Sequence, residues 1–581
     1  MCGIAGLLGL DVAPGPEPED LVRQMIDLQS HRGPDGRGLF RDRQVVLGHC
    51  RLAIVGLGEA GRQPMTSRDG RWTIVFNGEV FNYPELREQL GGPFASSTDT
   101  EVLLAACAAW GVEGALGRVA GMFAFALRDA RERVLTLARD RYGEKPLVHF
   151  WDGRTLGFAS EMKALAPLHD ATLDPVAVDA YLALGYVPAP LAIFQRCAKL
   201  PAGHLLRLAP GEAPRPVRWW CPPRASATVN DGAGRQEALR EQVARAVGQR
   251  MRADVPIALC LSGGVDSSVI AAECRRQGHR PEAFTIAFAK QDPGALFASK
   301  VAEGLDLRHE VIEIPEIRIA DELVPLAGLY DEPFADSSAV PSYVLARALA
   351  GRYKVVLNGD GGDETFGGYR HYEWIAAKQA IKAMAAAAGL CDGAGSGPAG
   401  VYLQSKVTFR AAERQQILAE RAAGNVFAAE RSALWLETTE ENALRRALRT
   451  DRHLGLANGL TYKMDIALGA FGIEGRAPFL DHRLIEWTQG LADGDLVCGS
   501  EKKVLLRAAY ARELPAEVLA RPKQGFGAPI DRWLTGPLRE LRQALLPCPL
   551  LAPGGQRGWS GQKLWTLLLF AAWARQWRAK W

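Results

Sequence analysis

Alternation of apolar and polar residues with a period of two marks the first two hundred positions. Segments 71–79 (RWTIVFNGE), 121–129 (GMFAFALRD), 133–140 (RVLTLARD) and 156–161 (LGFASE) carry it between turn residues, and predict short β-strands. From Pro210 to Gly234 the pattern lapses into a Pro- and Gly-rich stretch that predicts a linker. Beyond it the apolar runs IALCL (257–261), AFTIAF (283–288), EVIEI (310–314) and YKVVL (353–357) each lead into helical or turn-rich segments, the rhythm of a parallel α/β sheet. After Glu373 the pattern is mostly helical, broken by the Gly-rich run GLCDGAGSGPAG, expected to be a mobile loop. The expectation is α/β overall: a first domain over 1–212, a linker over 213–233, and a second domain over 234–581 whose C-terminal part is helical.

Composition narrows the function. The 581 residues are 48% hydrophobic, enough for more than one core. Basic and acidic residues number 69 and 66, and a net charge of +3 excludes a general nucleic-acid binder. The apolar stretch from Trp565 to Trp573 is about half of the roughly 20 residues that span a bilayer. The opening MCGIAGLLGL lacks a basic segment and a cleavage site, so no membrane or secretory destination is expected and the cytoplasm is. Ten cysteines without a CxxC pair read as thiols in a reducing compartment, and the ten histidines form no metal-ligand pattern. Trp573, Trp577 and Trp581, interleaved with Arg575, Arg578 and Lys580, predict a domain-capping helix with a solvated basic face. No pattern specifies an oligomeric state, which leaves a homo-oligomer open.

Candidate chemistry begins at Cys2. Removal of Met1 would put a thiol and a free α-amine on one residue, with ordinary pKa values of about 8.5 and about 8, close enough for the amine to serve as the thiol's base. A retained Met1 would block that amine as an amide.

A second constellation is LSGGVDSS (261–268), set between an apolar run and a helical pattern. Such a loop offers backbone N–H groups to phosphate, and Ser262, Ser267 and Ser268 add hydroxyls. It has no Walker lysine, so γ-phosphoryl transfer is not its natural chemistry. NGDGGDETFGGY (358–369) follows YKVVL and leaves its strand at the same sheet edge. Its Asp360 and Asp363 are hard carboxylates suited to Mg²⁺, whereas Glu364 reads as structural.

MCGIAG, HRGPDG (31–36), HCRLAIV (49–55), FNGEVFNY (76–83) and SSTDTE (96–101) together resemble the glutaminase domain of class II glutamine amidotransferases. The resemblance implies an N-terminal α+β Ntn-hydrolase sandwich. It makes Cys2 the nucleophile on the glutamine amide, Asn77 and Gly78 the oxyanion donors, Arg51 the α-carboxylate ligand, and Asp99 with Glu79 the α-ammonium ligands. SGGVDSS resembles the pyrophosphate loop of ATP pyrophosphatases. With EGRAPFLDHRLIE (474–486), EKKVLLRAA (501–509) and RPKQGFGAPIDRWL (521–534), nearly the whole chain resembles the glutamine-hydrolysing asparagine synthetases.

That resemblance implies glutamine, ATP with Mg²⁺, and aspartate as ligands, with no nucleic acid or membrane partner. Ammonia would reach an acyl-adenylate through an internal tunnel. Cys260, Ser262, Gly263, Gly264, Asp266, Ser267, Ser268, Ile286, Asn358 and Gly359 would contact ATP or pyrophosphate. Asp266 and Asp363 would hold Mg²⁺, Asp360 would support acyl-adenylate formation, and Lys503, four before Arg507, would stabilise developing charge.

Departures leave the acceptor open. Asn358 replaces the usual serine, Gly362 and Thr365 change the loop wording, 290–300 lacks the usual acidic-tyrosine pattern, and Ile466 stands where a Lys-x-Asp-Arg run has its arginine. Amidation of another carboxylate in polysaccharide or natural-product synthesis is the alternative. Cys2 counts against an intramolecular cyclase, and the two intact motif sets count against a non-catalytic sensor.

Overall fold

The computed structural model describes the chain apart from residues 10–16, 223–233, 290–291, 315–318, 388–401, 403–405, 420–441, 523–524, 526 and 553–557. The predicted Gly-rich loop after residue 388, most of the predicted linker, and Lys523, Gln524 and Phe526 of the last motif lie outside the described residues.

Among the described residues twelve strands build the first unit: β1 (Gly3–Leu8), β2 (Gly36–Arg41), β3 (Val45–Arg51), β4 (Met65–Thr66), β5 (Trp72–Val80), β6 (Gly121–Asp129), β7 (Val134–Arg139), β8 (Val148–Trp151), β9 (Leu156–Ala159), β10 (Cys197–Lys199), β11 (His204–Leu208) and β12 (Val217–Arg218). They form two sheets of order β10-β8-β9-β1-β3-β2 and β12-β11-β7-β6-β5-β4. Ile4, Leu8 and Leu47 from one sheet meet Val75, Ala126 and Leu137 from the other, an apolar layer between two inner faces. The outer faces are covered by helices, Pro18–Leu28 on β1 and β3, and Asp99–Arg118 on β5 and β6. The strands therefore carry apolar residues on both sides: in β1, Ile4 faces the sandwich while Ala5 and Leu7 face the helix. This four-layer arrangement is the expected α+β sandwich.

Five parallel strands follow: β13 (Ile257–Cys260), β14 (Glu282–Ala287), β15 (His309–Glu313), β16 (Val355–Leu357) and β17 (Glu474–Arg476), in the order β15-β14-β13-β16-β17. The four predicted runs are β13 to β16. The chain reverses direction of progress between β13 and β16, so the loops after those two strands part and leave a crevice at the carboxyl edge. Gly264 caps the helix Val265–Arg276, and the glycine loop thus ends at a helix N-terminus.

The terminal helix Gly561–Trp577 corrects the capping expectation. Trp573 is fully buried, donates Nε1–H to the Asp331 carbonyl at 3.2 Å, and packs with Trp577 against Phe194 of the first unit. Tyr181, also of the first unit, donates to the Thr566 carbonyl at 2.7 Å. The helix is a shared wall of both units, because its aromatic side is buried by each of them. Arg575, Arg578 and Lys580 remain exposed.

Candidate active sites

Cys2 precedes β1, half-buried, with Sγ 3.8 Å from the Leu52 carbonyl oxygen. Burial raises its thiol pKa, and the nearby amino terminus opposes that rise. Asn77 lies on β5, which packs on β1 and β3. It is fully buried, and neither Oδ1 nor Nδ2 has a hydrogen-bond partner among the described residues. An unpaired buried amide costs about 1–3 kcal/mol, and its N–H is a donor ready for a developing oxyanion. At Gly78 (φ +154°) a Cβ would fall 2.1 Å from the Met122 carbonyl oxygen, so β6 can pair this closely only with glycine there.

The two acids beyond this point are brought together. Asp99 opens the helix Asp99–Arg118, where Thr98 caps the end, and its Oδ2 accepts Val80 N–H at 2.8 Å. Burial pushes the Asp99 carboxyl up to about 6. Burial first, then the charge of Asp99, pushes Glu79 well above the usual carboxylate range. Such a pair favours a cationic ligand. Arg51 is fixed by donating to the Gly58 carbonyl at 2.8 Å and the Gly56 carbonyl at 2.5 Å, which orients its guanidinium.

In the second unit a cavity of about 410 Å³ is lined by Cys260, Ser262, Asp266, Ser267, Ile286, Asn358, Gly359, Asp360 and Asp363. An adjoining cavity of about 160 Å³ shares Ser262, Asp266 and Ile286, and adds Gly264, Lys503, Arg507 and Arg521. Ser262 N–H donates to Ser267 Oγ at 3.0 Å, tying the loop to the helix behind it. Gly263 (φ +66°) closes the turn where a Cβ would lie 2.6 Å from the Gly294 oxygen. Of the predicted loop residues Gly263 and Ser268 line neither cavity, and Ser268 is fully buried.

Lys503 Nζ lies 2.6 Å from Asp266 Oδ1 and 2.5 Å from Asp363 Oδ1, so both predicted carboxylates converge on one ammonium. Its φ of +56° is a strained left-handed conformation costing on the order of 1 kcal/mol. The loop's unusual Gly362 is explained by space, since a Cβ there would meet the Asp266 carboxyl carbon at 2.6 Å. Glu364 is buried, takes a 2.6 Å hydrogen bond from Tyr369, and is raised by burial to about 7. The larger cavity is also lined by Asp336, Ser338, Leu345, Lys463 and Met464, with Lys463 Nζ donating to Ser338 Oγ at 2.8 Å.

Sequence reasoning passed over the residues between the two sites. Arg32, inside HRGPDG, donates Nε–H to the Cys2 carbonyl at 2.9 Å and pairs with Glu161 at 2.7 Å and Asp465 at 2.7 Å. Asp465 also meets Lys145 at 3.4 Å. The lost arginine of the Lys-x-Asp-Arg run is here a buried isoleucine, and the cations facing Asp465 come from the first unit. Arg476, inside EGRAPF, reaches Glu79 at 3.1 Å. The signal available was an arginine in each quoted motif without an assigned partner.

An N-terminal cysteine and an unpaired buried amide in one unit, with a glycine loop that lacks a Walker lysine in the other, fit an ATP-dependent carbon–nitrogen ligase with glutamine as the amido donor. The chain belongs to the asparagine synthase family, which matches residues 238–575, while the glutamine amidotransferase domain matches residues 1–220. It is 29% identical to asparagine synthetase [glutamine-hydrolyzing] 1 of Bacillus subtilis, covering 99% of this chain and 96% of that protein. It is 30% identical to a putative asparagine synthetase [glutamine-hydrolyzing] of Mycobacterium bovis, over 99% of this chain and 97% of the relative. A solved glutamine phosphoribosylpyrophosphate amidotransferase from B. subtilis is 17% identical, covers 63% of this chain and 77% of its own, and overlays with a TM-score of 0.29. Among the described residues no helix is long and apolar enough to cross a membrane.

Proposed function

We propose that this enzyme converts aspartate, glutamine and ATP to asparagine, glutamate, AMP and pyrophosphate, in the cytoplasm. The nine described cysteines are all free, which fits a reducing compartment. Cys2, freed of Met1, attacks the glutamine amide while Asn77 and the Gly78 N–H take the oxyanion. Arg51 holds the α-carboxylate; Glu79 and Asp99 hold the α-ammonium. Ammonia leaves and the thioester is hydrolysed to glutamate. A small cavity of about 20 Å³ lined by Met1, Asn358, Asp360, Met464 and Asp465 lies between the sites and supports an inward route for ammonia.

In the second unit the acceptor carboxylate attacks the α-phosphorus of ATP and pyrophosphate departs toward Lys503, Arg507 and Arg521. Ser262, Ser267 and the backbone of Gly263 and Gly264 cradle the phosphates, Cys260, Ile286, Asn358 and Gly359 lie along the nucleotide, and Asp360 supports the acyl-adenylate that ammonia then captures. Asp266 and Asp363 converge on a single ammonium, and two hard carboxylates so placed also fit Mg²⁺. When bound, the ion would neutralise charge on the departing pyrophosphate.

One observation carries the choice of acceptor. The cavity lined by the phosphate loop is also lined by Lys463 and Asp336, 3.8 Å apart, a cation and an anion suited to the carboxylate and ammonium of an amino acid. Asn358 and Ile466 are what favour the second reading, amidation of another carboxylate. An acceptor panel with ATP and glutamine, scored for pyrophosphate and amide, decides between them. Aspartate-dependent pyrophosphate and asparagine in equal amounts are expected. Turnover only with another acceptor replaces the first reading by the second, and ADP as the nucleotide product overturns both.

A further inference from the structure

Arg476 is fully buried, and its side chain and backbone serve different sites. Its Nη2 donates to Glu79 Oε2 at 3.1 Å, in the strand that presents Asn77 and Gly78. Its carbonyl oxygen accepts Asn358 N–H at 3.0 Å, where β16 opens into the acidic loop. Asn358 Oδ1 in turn accepts Asp360 N–H at 3.0 Å. Three hydrogen bonds thus run from the glutamine-side acid Glu79 to the carboxylate-bearing loop of the nucleotide cavity.

The guanidinium has little freedom to move independently of its backbone. Nε donates to Glu474 Oε1 at 2.9 Å, and Nη1 donates to the carbonyls of Arg250 at 2.9 Å and Arg252 at 2.7 Å. The strand that carries it, β17, is three residues long and pairs only through β16 among the described strands. A shift of the Asn358–Asp360 loop is therefore passed to β17 and, through a planar group with four engaged donors, to Glu79. Arg32 also crosses between the units, but its partners Cys2, Glu161 and Asp465 include no residue of either nucleotide loop.

We infer that Arg476 is a positioning residue that couples nucleotide binding in the second unit to glutamine binding in the first. The two states differ in how Glu79 is shared: by Arg476 alone, or by Arg476 and the incoming α-ammonium in a geometry set by the loop beyond β16. A ligand shifts such an equilibrium only through contacts that differ between states, and the hydrogen-bonded chain supplies that difference. The identity of the two ligands rests on the function proposed above.

The test uses the full chain with Cys2→Ala, so that glutamine binds without turnover, and reads glutamine Kd by calorimetry with and without saturating Mg–ATP. A coupling of at least about fivefold is expected, the lower end of ordinary allosteric linkage. Adding Arg476→Lys, which keeps the charge but loses the fork, is expected to bring the ratio below about twofold while ATP Kd changes less than about threefold. Asn358→Ala cuts the same chain at its last link; because Asn358 also lies along the proposed nucleotide, its ATP Kd is measured first and the ratio is read at ATP saturating for that variant, where a lower ratio is expected, so the idea stays testable if Arg476 variants fail to fold. Normal binding of both ligands with no linkage in the parent protein, or full linkage retained in Asn358→Ala or a folded Arg476→Lys, overturns the inference alone. No heat from ATP or from glutamine overturns the functional reading, and the inference with it.

Discussion

Arg32 and Asp465 form an ion pair of 2.7 Å, and 433 residues of sequence separate the two partners, which belong to different units of the fold. Neither side chain reaches solvent appreciably, and the charge of Asp465, with that of Glu161, holds the Arg32 guanidinium above its ordinary pKa despite burial. Arg32 also donates to the Cys2 carbonyl, so the backbone of the proposed nucleophile is tied to a group whose charge is shared by Glu161 of the first unit and Asp465 of the second.

Asp465→Ala is expected to destabilise the protein by about 3–5 kcal/mol, the usual result of leaving a buried charge short of a partner. Lys145 loses its carboxylate in the same change. Asp465→Asn keeps the volume and should lose less. Denaturant unfolding checks this, and an Asp465→Ala midpoint equal to wild type would show that the interface does not depend on the pair.

Cys2→Ala should abolish amide synthesis from glutamine and leave synthesis from ammonium salts within about twofold of wild type, because the thiol and the nucleotide loops are on separate units. Activity with both donors is measured on the same preparation. Parallel loss with the two nitrogen sources counts against two sites. Intact mass accompanies the assay, since a chain that keeps Met1 has no free amine on Cys2 and should resemble the variant.

Legibility of the fold followed local pattern. Strands β5, β6 and β7 were readable because their β-branched and aromatic runs are bounded by turn residues, whereas β1 follows directly on Met1 and Cys2 with no turn before it; like β5 and β6 it is covered by a helix on one face and a sheet on the other. β17 was invisible because two of its three residues, Glu474 and Arg476, are charged; they pair with each other, and Arg476 is further satisfied by Glu79, Arg250 and Arg252, far away in sequence. The site divided the same way. Cys2, Asn77, Asp99 and the SGGVDSS loop sit in compact motifs. The meaning of Arg476 depends on Glu79, 397 residues away, and spacing carries no such information.

Glutamine capture should fail on the acid side of an inflection at or above about pH 6. The α-ammonium needs ionised partners; burial lifts Asp99 to about 6, and burial first, then the charge of Asp99, lifts Glu79 well above the usual carboxylate range. A carboxyl raised in the folded state binds its proton more tightly there, so these groups favour folding as pH falls and oppose ligand binding over the same range. The acid limb of kcat/KM for glutamine reports the free enzyme, and its inflection is expected at or above about pH 6, with the pair titrating as a unit. Asp99→Asn should raise KM by about tenfold or more and move that limb. A flat profile between pH 5 and 8 would contradict the assignment of Asp99 to the ammonium.

The last prediction separates the phosphate chemistry from the glutaminase. Lys503 bridges Asp266 and Asp363 at 2.6 and 2.5 Å and lines a cavity with Arg507 and Arg521, the positive charge that the proposed reaction offers to a departing pyrophosphate. Removal of one such electrostatic contact ordinarily costs about 10²–10³ in rate. Lys503→Met is thus expected to lower acceptor-dependent ATP–pyrophosphate exchange by that factor. It also leaves Asp266 and Asp363 facing each other without their shared cation, so added Mg²⁺ should recover part of the binding of ATP but little of the rate. Asp266→Ala has the opposite signature: Lys503 keeps Asp363, and the requirement for Mg²⁺ rises because one of two hard ligands is gone. In both variants glutamine hydrolysis at Cys2 should stay within about threefold of wild type, since neither side chain touches the first unit's acids or Asn77. Exchange at wild-type rate in both proteins would remove Lys503 and Asp266 from the pyrophosphate site, and loss of exchange together with loss of glutaminase would mean that the substitutions disturb the fold rather than the chemistry.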